Sequence, residues 1–232
     1  MKSLVFDSST IITIVVNNLL EPFKKLKVRF NGEFFIPLSV KKEIVDYPIT
    51  TKKFKLEAIM VLDAIKKNYL KVYEDPAVTE KAYYLLELAN RIYFSRGEPI
   101  KILDMGEVEA LALAVHLNSD AYVVDERTMR LIIENPNALA GLLSAKLHLD
   151  ITIDNKNLKE FQMGLKGIKV IRSTELMVMA YELGLFDEYL TDGKVVKRNL
   201  RPVLLDGLLW GLKLNGCSIS TKEIEDIIRL ES

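Results

Sequence analysis

Short apolar stretches alternate along the chain with longer segments whose apolar positions recur at helical spacing. Short apolar runs bounded by turn residues predict buried strands, and a spacing of three to four residues predicts amphipathic helices. The predicted strands span 2–6, 32–37, 69–74, 121–125 and 167–173. The predicted helices span 10–26, 39–48, 50–68, 76–97, 104–120, 173–186, 201–216 and 220–230. Because strands alternate with helices, we expect a three-layer α/β/α fold with a central parallel sheet and additional C-terminal helices.

Capping residues and prolines predict where several of these helices begin and end. Thr10 and Ser39 stand before helical segments and are expected to cap them. Pro22 is expected to break the first helix late and Pro48 to stop the second, because proline has no backbone N–H to donate. A single helix is expected over 76–97.

The length of the chain bounds its domain organisation. With 232 residues it fits one large domain or one domain with an insertion. After Asn135 the periodicity becomes mixed. We therefore predict a single domain over 1–232, with its core at 1–135 and 168–232 and an insertion at 136–167.

Composition and charge narrow the classes of function. Apolar residues make up 49 % of the chain and charged residues 28 %, which is typical of a soluble globular protein. The 32 basic and 32 acidic residues cancel, so contact with RNA would need a local basic patch, and 24–29 and 197–201 are candidates. One cysteine and two histidines leave no disulfide framework and no zinc cluster.

Hydropathy bears on location and assembly. No apolar run approaches the length of a membrane span, and the N-terminus lacks the pattern of a signal peptide, so we expect a cytoplasmic protein with no membrane partner.

The three C-terminal helices carry more apolar surface than one short sheet needs. Exposed apolar patches usually mark interfaces, so we expect a homo-oligomer, a dimer being the simplest.

Acidic residues stand where two predicted strands end and where two predicted helices begin. Asp7 and Asp125 end the first and fourth strands, and Glu43 and Glu107 lie in the first turns of helices. Ligands of open parallel α/β sheets bind outside the carboxyl ends of the strands, so these acids can converge there. Each acid can also be a helix cap, and Asp104 with Glu107 has the spacing of a capping box.

Several carboxylates in one pocket need a counter-charge. Two of them roughly 4 Å apart repel by about 4 kcal/mol at an effective dielectric near 20. Either some are protonated or a cation lies among them. A site without histidine or cysteine suits a hard divalent cation such as Mg²⁺ or Mn²⁺, and one or two such ions can drive hydrolysis of a phosphodiester.

Four segments in this order resemble the PIN-domain family of ribonucleases: LVFDSS, FFIPLSVKKEI, LDMGEVEALALA and YVVDER. The resemblance covers residues 1–134 and continues more faintly through 167–186. It implies a parallel sheet flanked by helices, one or two Mg²⁺ or Mn²⁺ ions and cleavage of single-stranded RNA. By this resemblance the four catalytic and metal-binding acids are Asp7, Glu43, Glu107 and Asp125. Ser9 matches a small polar residue that orients the first acid or its bound water.

The third acidic position departs from the usual pattern of the family, where it is more often Asp. Here it is Glu107 in a G-E-x-E-A variant, and Asp104 or Glu109 could share or take the role. On an ideal helix Glu107 and Glu109 lie about 200° apart, so both should not face the site. Asp104 and Glu107 are three residues apart and can face it together.

The same sequence features also allow functions other than RNA cleavage. Arg127 follows the fourth acid and can hold a phosphate, or it can be a surface charge. The same fold could serve as a catalytically inactive RNA-binding or scaffold module in an RNA-processing complex, and the identity of any protein partner, an antitoxin included, stays open. The first strand ends in D-S-S rather than D-x-D, and no phosphate-binding glycine loop occurs, which disfavours other phosphoryl-transfer enzymes.

Overall fold

The computed structural model describes residues 2–190 and 199–231 and contains a five-stranded sheet in which every strand pairs in parallel. The strands of the chain are β1 (Ser3–Phe6), β2 (Glu33–Pro37), β3 (Lys71–Tyr73), β4 (Tyr93–Ser95), β5 (Glu98–Pro99), β6 (Ala121–Val123), β7 (Thr152–Ile153) and β8 (Val170–Ile171). The central sheet has the order β3-β2-β1-β6-β8, so the predicted strands all join it.

Helices cover both faces of this sheet and confirm the predicted three-layer α/β/α class. They are α1 (Ser8–Val16), α2 (Leu20–Phe30), α3 (Leu38–Lys41), α4 (Tyr47–Thr50), α5 (Lys55–Lys66), α6 (Pro76–Ala89), α7 (Met105–His116), α8 (Arg127–Glu134), α9 (Pro136–Leu147), α10 (Asn155–Leu165), α11 (Ser173–Glu182), α12 (Leu200–Leu214) and α13 (Thr221–Glu231). A π turn, Lys42–Asp46, joins α3 to α4, and a 3₁₀ turn, Asp187–Tyr189, follows α11.

Strand register decides which residues face which layer. Val5 of β1 pairs with Tyr122 of β6, and residues paired in this way point to the same face. The Tyr122 hydroxyl donates to the carbonyl of Glu107, so this face carries α7. Phe6 points to the opposite face, where its ring centroid lies 5.3 Å from that of Phe23 in α2. Helices α1, α2 and α5 thus lie together on the Phe6 face, and α6 and α7 lie on the other face. Right-handed crossovers keep helices on one face while the chain moves from β1 through β2 to β3, and the face changes when the chain returns across the sheet to β6.

Helix α7 lies between the sheet and a second helical layer. It contacts β1, β2 and β6 and packs along α6, which in turn contacts α10. Residues 110–114 are therefore fully buried around the whole circumference of the helix. A helix that is apolar on every side has to be enclosed in this way.

The helix predicted over 76–97 is confirmed over 76–89 and wrong for its last eight residues, 90–97. Helix α6 ends at Ala89, and 93–99 form the β4–β5 hairpin. The side chain of Asn90 binds the backbone of the following extended segment, accepting from Ile102 N (2.8 Å) and donating to Leu103 O (2.9 Å). The two residues between the strands, Arg96 and Gly97, both have positive φ, which is the geometry that closes a tight hairpin.

The ends of the first two helices also differ from those predicted. The segment 10–26 is divided at Asn18, which adopts a left-handed backbone conformation, and Pro22 lies in the first turn of α2 rather than at a late break. Thr10 lies inside α1, whose cap is Asp7. The second helix begins at Leu38, before Ser39, and continues through the π turn past Pro48 to Thr50.

Residues 136–167, predicted as an insertion, contain α9, β7 and α10. Helix α9 packs on α8, β7 pairs antiparallel with β4 to give a small three-stranded sheet, and α10 packs on α6. The segment thus adds a third strand and two helices beside the hairpin and helix α6. Within the described ranges, no helix combines the length and apolar character needed to cross a membrane.

The guanidinium of Arg172, nearly buried, joins the end of β8 to the C-terminal segment. Its Nε donates to Glu175 Oε1 (2.9 Å), and its Nη1 donates to Ser218 O (3.0 Å) and Glu223 Oε1 (2.9 Å). Helix α13 and the loop before it are therefore attached to the sheet by charge-assisted hydrogen bonds. These bonds are stronger than neutral ones.

Replacing Arg172 with Met is expected to lower the free energy of unfolding by about 2 kcal/mol, because it leaves partly buried partners without their donor. Urea denaturation followed by circular dichroism measures this loss. The control is Arg229→Met, which removes an exposed ion pair with Asp226 and should change stability little. Equal effects of the two substitutions would contradict a structural role for Arg172.

Candidate active site

The carboxylate of Asp7 lies at the carboxyl end of β1 and is 3 % exposed. Asp7 is the N-cap of α1, and its Oδ2 accepts hydrogen bonds from Ser9 N (3.1 Å) and Ser9 Oγ (2.6 Å). Its Oδ1 is buried and has no hydrogen-bond partner among the described residues. A buried carboxylate oxygen without a partner is costly, and a bound cation is one way to satisfy it.

Asp125 lies beyond the end of the neighbouring strand β6 and is fully buried. Its Oδ1 accepts from Ser173 N (2.8 Å) at the start of α11, and its carbonyl accepts from Ser218 N (3.3 Å). Its Oδ2, like Oδ1 of Asp7, is buried and has no hydrogen-bond partner in the described parts of the chain. Burial, followed by the charge of Asp125, raises the pKa of the Cys217 thiol to about 12, which keeps this neighbour neutral.

Ser9 connects these two acids. Its hydroxyl donates to Asp7 Oδ2 and accepts from the backbone N–H of Asp125 at 3.1 Å. The strand register accounts for the contact, since Phe6 pairs with Val123 and the two acids follow on adjacent parallel strands. Ser9 therefore fixes the orientation of the first acid relative to the strand that carries the fourth.

Glu43 approaches Asp7 from the π turn. Burial raises the pKa of Asp7 to about 6, hydrogen bonds from Ser9 and Ser8 oppose the shift, and the charge of Glu43 adds to it. Glu43 is exposed and makes no hydrogen bond or ion pair within the described ranges, so its side chain can move. Turns of π geometry are rare and occur frequently at functional sites.

Glu107 lies in the first turn of α7 and is partly buried. Its Oε2 accepts from Asp104 N (2.7 Å), which is one arm of the predicted capping box. Burial raises the pKa of Glu107, and the charges of Glu126, Asp7 and Asp104 raise it further, which puts these acids within electrostatic reach of one another. The Asp104 carboxylate itself is exposed and pairs with Lys101 at 2.5 Å.

Glu109 points elsewhere, as the helical spacing predicts. Its two oxygens accept from Ser39 N (3.3 Å) and Thr79 Oγ1 (3.2 Å), so it joins α3 to α6.

Glu126, in contrast, belongs to the acidic group and was not predicted. It caps α8 by accepting from Met129 N at 2.6 Å. The available signal was its position directly after the acid that ends β6.

Two arginines follow Glu126 and differ in their surroundings. Arg127 is the exposed first residue of α8 and has no hydrogen bond or ion pair with any described residue, so it is free to bind an anion. Arg130 donates to Ser218 O (2.8 Å) and lies 3.5 Å from Glu134. Arg130 thus holds the loop next to Asp125.

The donor set of the site fits a hard divalent cation. Asp7 and Asp125 each present a buried oxygen without a partner, and carboxylate and hydroxyl oxygens are the ligands that Mg²⁺ and Mn²⁺ prefer. In the described ranges, however, no group of three or more His, Cys, Asp or Glu side chains is close enough to hold one ion. Gathering three carboxylates on an ion therefore requires side-chain movement, for which the exposed Glu43 has the freedom.

Comparisons of the chain with family models, with curated proteins and with solved structures found no match.

Replacing Asp7 with Asn should change how stability depends on pH in the metal-free protein. The pKa of Asp7 is about 6 when folded and about 3.9 when unfolded, so the folded wild type binds more protons between these values and loses stability as pH rises through them. The Asn variant has no such loss. The difference in free energy of unfolding should grow by roughly 2 to 3 kcal/mol from pH 4 to pH 8 in favour of the variant.

Urea denaturation in EDTA across this pH range measures the difference. Replacing the exposed Glu225 with Gln is the control and should leave the pH profile as in the wild type. A constant difference between wild type and Asp7→Asn over the whole range would show that Asp7 does not titrate in this window.

Proposed function

We propose that this protein is a metal-dependent endoribonuclease that cleaves single-stranded RNA with Mg²⁺ or Mn²⁺. The observation that carries the proposal is the pair of buried, unpartnered oxygens of Asp7 and Asp125 at neighbouring strand ends. Burying two carboxylates in this way is unfavourable unless a cation or a proton offsets their charge. The carboxyl edge of a parallel sheet is also where such folds bind ligands.

Further acids near these two carboxylates add to the negative charge that a bound cation would offset. Glu43, Glu107 and Glu126 add negative charge within electrostatic reach of Asp7 or of one another. A divalent cation, when bound, supplies an activated water and stabilises the leaving oxygen of a phosphodiester. One or two ions would fit this role.

Each residue of the site then has a distinct task. Asp7 and Asp125 would hold the cation from the sheet edge, and Glu43 of the π turn and Glu107 of α7 would move in to complete its ligands. Ser9 orients Asp7 through the hydrogen bond that its hydroxyl donates to the carboxylate. Arg127, which is exposed and unpaired among the described residues, can bind a phosphate of the RNA beside the site.

RNA as the substrate rests on the resemblance of four segments to PIN-domain ribonucleases. The residues that carry it are the four acids in their order along the chain, each next to a strand end or a helix start. By the same resemblance the products would carry a 5′-phosphate and a 3′-hydroxyl.

A catalytically inactive RNA-binding or scaffold module is the second candidate. It is favoured by the use of Glu107 and Glu126 as helix caps, since each already accepts a backbone hydrogen bond. Under this alternative the acids would be structural, and metal would neither bind tightly nor raise the melting temperature.

Cleavage of a fluorescently labelled single-stranded RNA in a Mn²⁺ titration tests the proposal. Asp7→Asn is expected to lower the cleavage rate by about 100-fold or more, because it removes a negative ligand at the centre of the site. Glu109→Gln is the matched control: it changes an acid of α7 that points away from the acidic group, and a glutamine oxygen can still accept from Ser39 N.

Three outcomes are informative. Loss of cleavage with Asp7→Asn and retention with Glu109→Gln supports the proposal. Equal cleavage by wild type and Asp7→Asn points to a contaminating nuclease or to another site. RNA binding without Mn²⁺-dependent cleavage or Mn²⁺-dependent stabilisation favours the scaffold alternative. Glu126→Gln, tested beside them, shows whether this acid also contributes.

A further inference from the structure

A groove with a volume of about 390 Å³ adjoins the candidate active site. It lies between α1, the π turn with α4, and α5, and its walls are mainly apolar. Glu43 forms part of one wall, so the groove begins at the acidic group that surrounds Asp7. Its volume is in the range of pockets that hold small organic groups.

Two aromatic side chains line this groove and are open to solvent. Tyr47 is 71 % exposed and Phe54 is 42 % exposed. Phe54 also has a left-handed backbone, with φ +60°, just before α5. A bulky residue in this conformation is strained, and such strain persists mostly where function requires it. The strain and the exposure of the Phe54 ring have no evident benefit for folding.

Lys53 lines the same groove together with the acids Glu43 and Glu57, and three further lysines are next to lining residues in the sequence. Lys42, Lys52, Lys53 and Lys55 are exposed, and none of them forms an ion pair in the described ranges. The ammonium of Lys53 lies 4.6 Å from the centre of the Phe54 ring.

The basic stretches predicted from sequence differ from this group. In 24–29, Lys24, Lys25 and Lys27 each have an acidic partner. Residues 197 and 198 of the second stretch lie outside the described residues, and Arg201 is near Asp187. The lysines at the groove are therefore better placed to contact a phosphate backbone.

We propose that this groove binds an unpaired base of the single-stranded RNA next to the scissile phosphate, and this inference rests on the proposed function. Tyr47 and Phe54 would stack on the base, and Lys53 would hold an adjacent phosphate. Single-stranded RNA is generally bound by this combination of aromatic faces and basic residues. Because the walls offer few hydrogen-bonding groups, the groove accepts any base and prefers those that stack well.

RNA affinity of the full chain is measured in the Asp7→Asn background, with Ca²⁺ in place of Mn²⁺ so that no cleavage occurs. Fluorescence polarisation with a labelled single-stranded oligonucleotide reports the dissociation constant. Phe54→Gly and Tyr47→Leu are each expected to weaken binding about tenfold, the typical effect of losing one stacked base. Tyr83→Leu is the control, an exposed aromatic on α6 away from the groove, and should bind like the parent.

Phe54→Gly also separates binding from folding. Glycine adopts positive φ without strain, so this variant should keep or raise the melting temperature while it binds RNA less tightly.

Lys53→Gln should lower the slope of log affinity against log salt concentration by about 0.7, the value for one phosphate contact on a single strand. An oligonucleotide with abasic sites throughout should bind wild type and Phe54→Gly equally.

The outcomes distinguish this inference from the proposed function. If Mn²⁺-dependent cleavage occurs but the groove variants bind RNA like Tyr83→Leu, the function stands and the base-binding groove is wrong. If cleavage is absent but the groove variants weaken binding, the groove stands and the nuclease proposal is wrong. If sedimentation shows that Phe54→Gly disrupts a dimer while RNA affinity is unchanged, the groove is a contact between two copies, which overturns the inference.

Discussion

The hydroxyl of Ser9 joins the ends of two neighbouring parallel strands, and the geometry of the candidate site depends on this contact. It donates to the carboxylate of Asp7 on β1 and accepts from the backbone of Asp125 beyond β6. The contact exists because β1 and β6 pair in parallel, which places both carboxyl ends at one edge. An antiparallel pairing would separate the two acids by the length of a strand. The strand order of the sheet therefore determines whether the two acids can act together.

The buried carboxylate and carbonyl of Asp125 have to receive hydrogen bonds from other parts of the chain. Asp125 is held by the start of α11 through Ser173 and by the loop at Ser218, and the carbonyl of Ser218 accepts in turn from Arg130 and Arg172. The C-terminal helices therefore do more than cover apolar surface. The start of α11 supplies the backbone donor to the buried carboxylate, and the loop before α13 supplies a donor to the Asp125 carbonyl, while Arg130 of α8 and Arg172 hold that loop in place. A chain that ended after β8 would leave Asp125 without this support.

The sequence predicted the layers of the fold because alternating apolar and helical periods follow directly from burial on a parallel sheet. It did not predict the β4–β5 hairpin, whose strands are only three and two residues long and therefore show no clear period, and beside which Asn90 binds the backbone of Ile102. Caps at Thr10 and Ser39 were misplaced for a similar reason, since a cap depends on local backbone geometry. The opposite orientation of Glu109 was predictable from helical spacing alone. Glu126 was missed because its approach to Glu107 arises only when β6 and α7 pack together.

The segment 42–54 brings together the features that local energetics alone would disfavour. It contains a π turn, a proline inside a helical stretch and a left-handed Phe54. Regular helical geometry from Leu38 onwards would change the direction in which Glu43 points and would alter the wall of the groove beside α5. Because the well-packed sheet beneath supplies the stability, the edge can tolerate strained backbone, exposed rings and unpartnered carboxylate oxygens. The π turn, the left-handed Phe54 and the unpartnered oxygen of Asp7 thus lie close together around Glu43, and departures from regular geometry of this kind are expected mainly at functional sites.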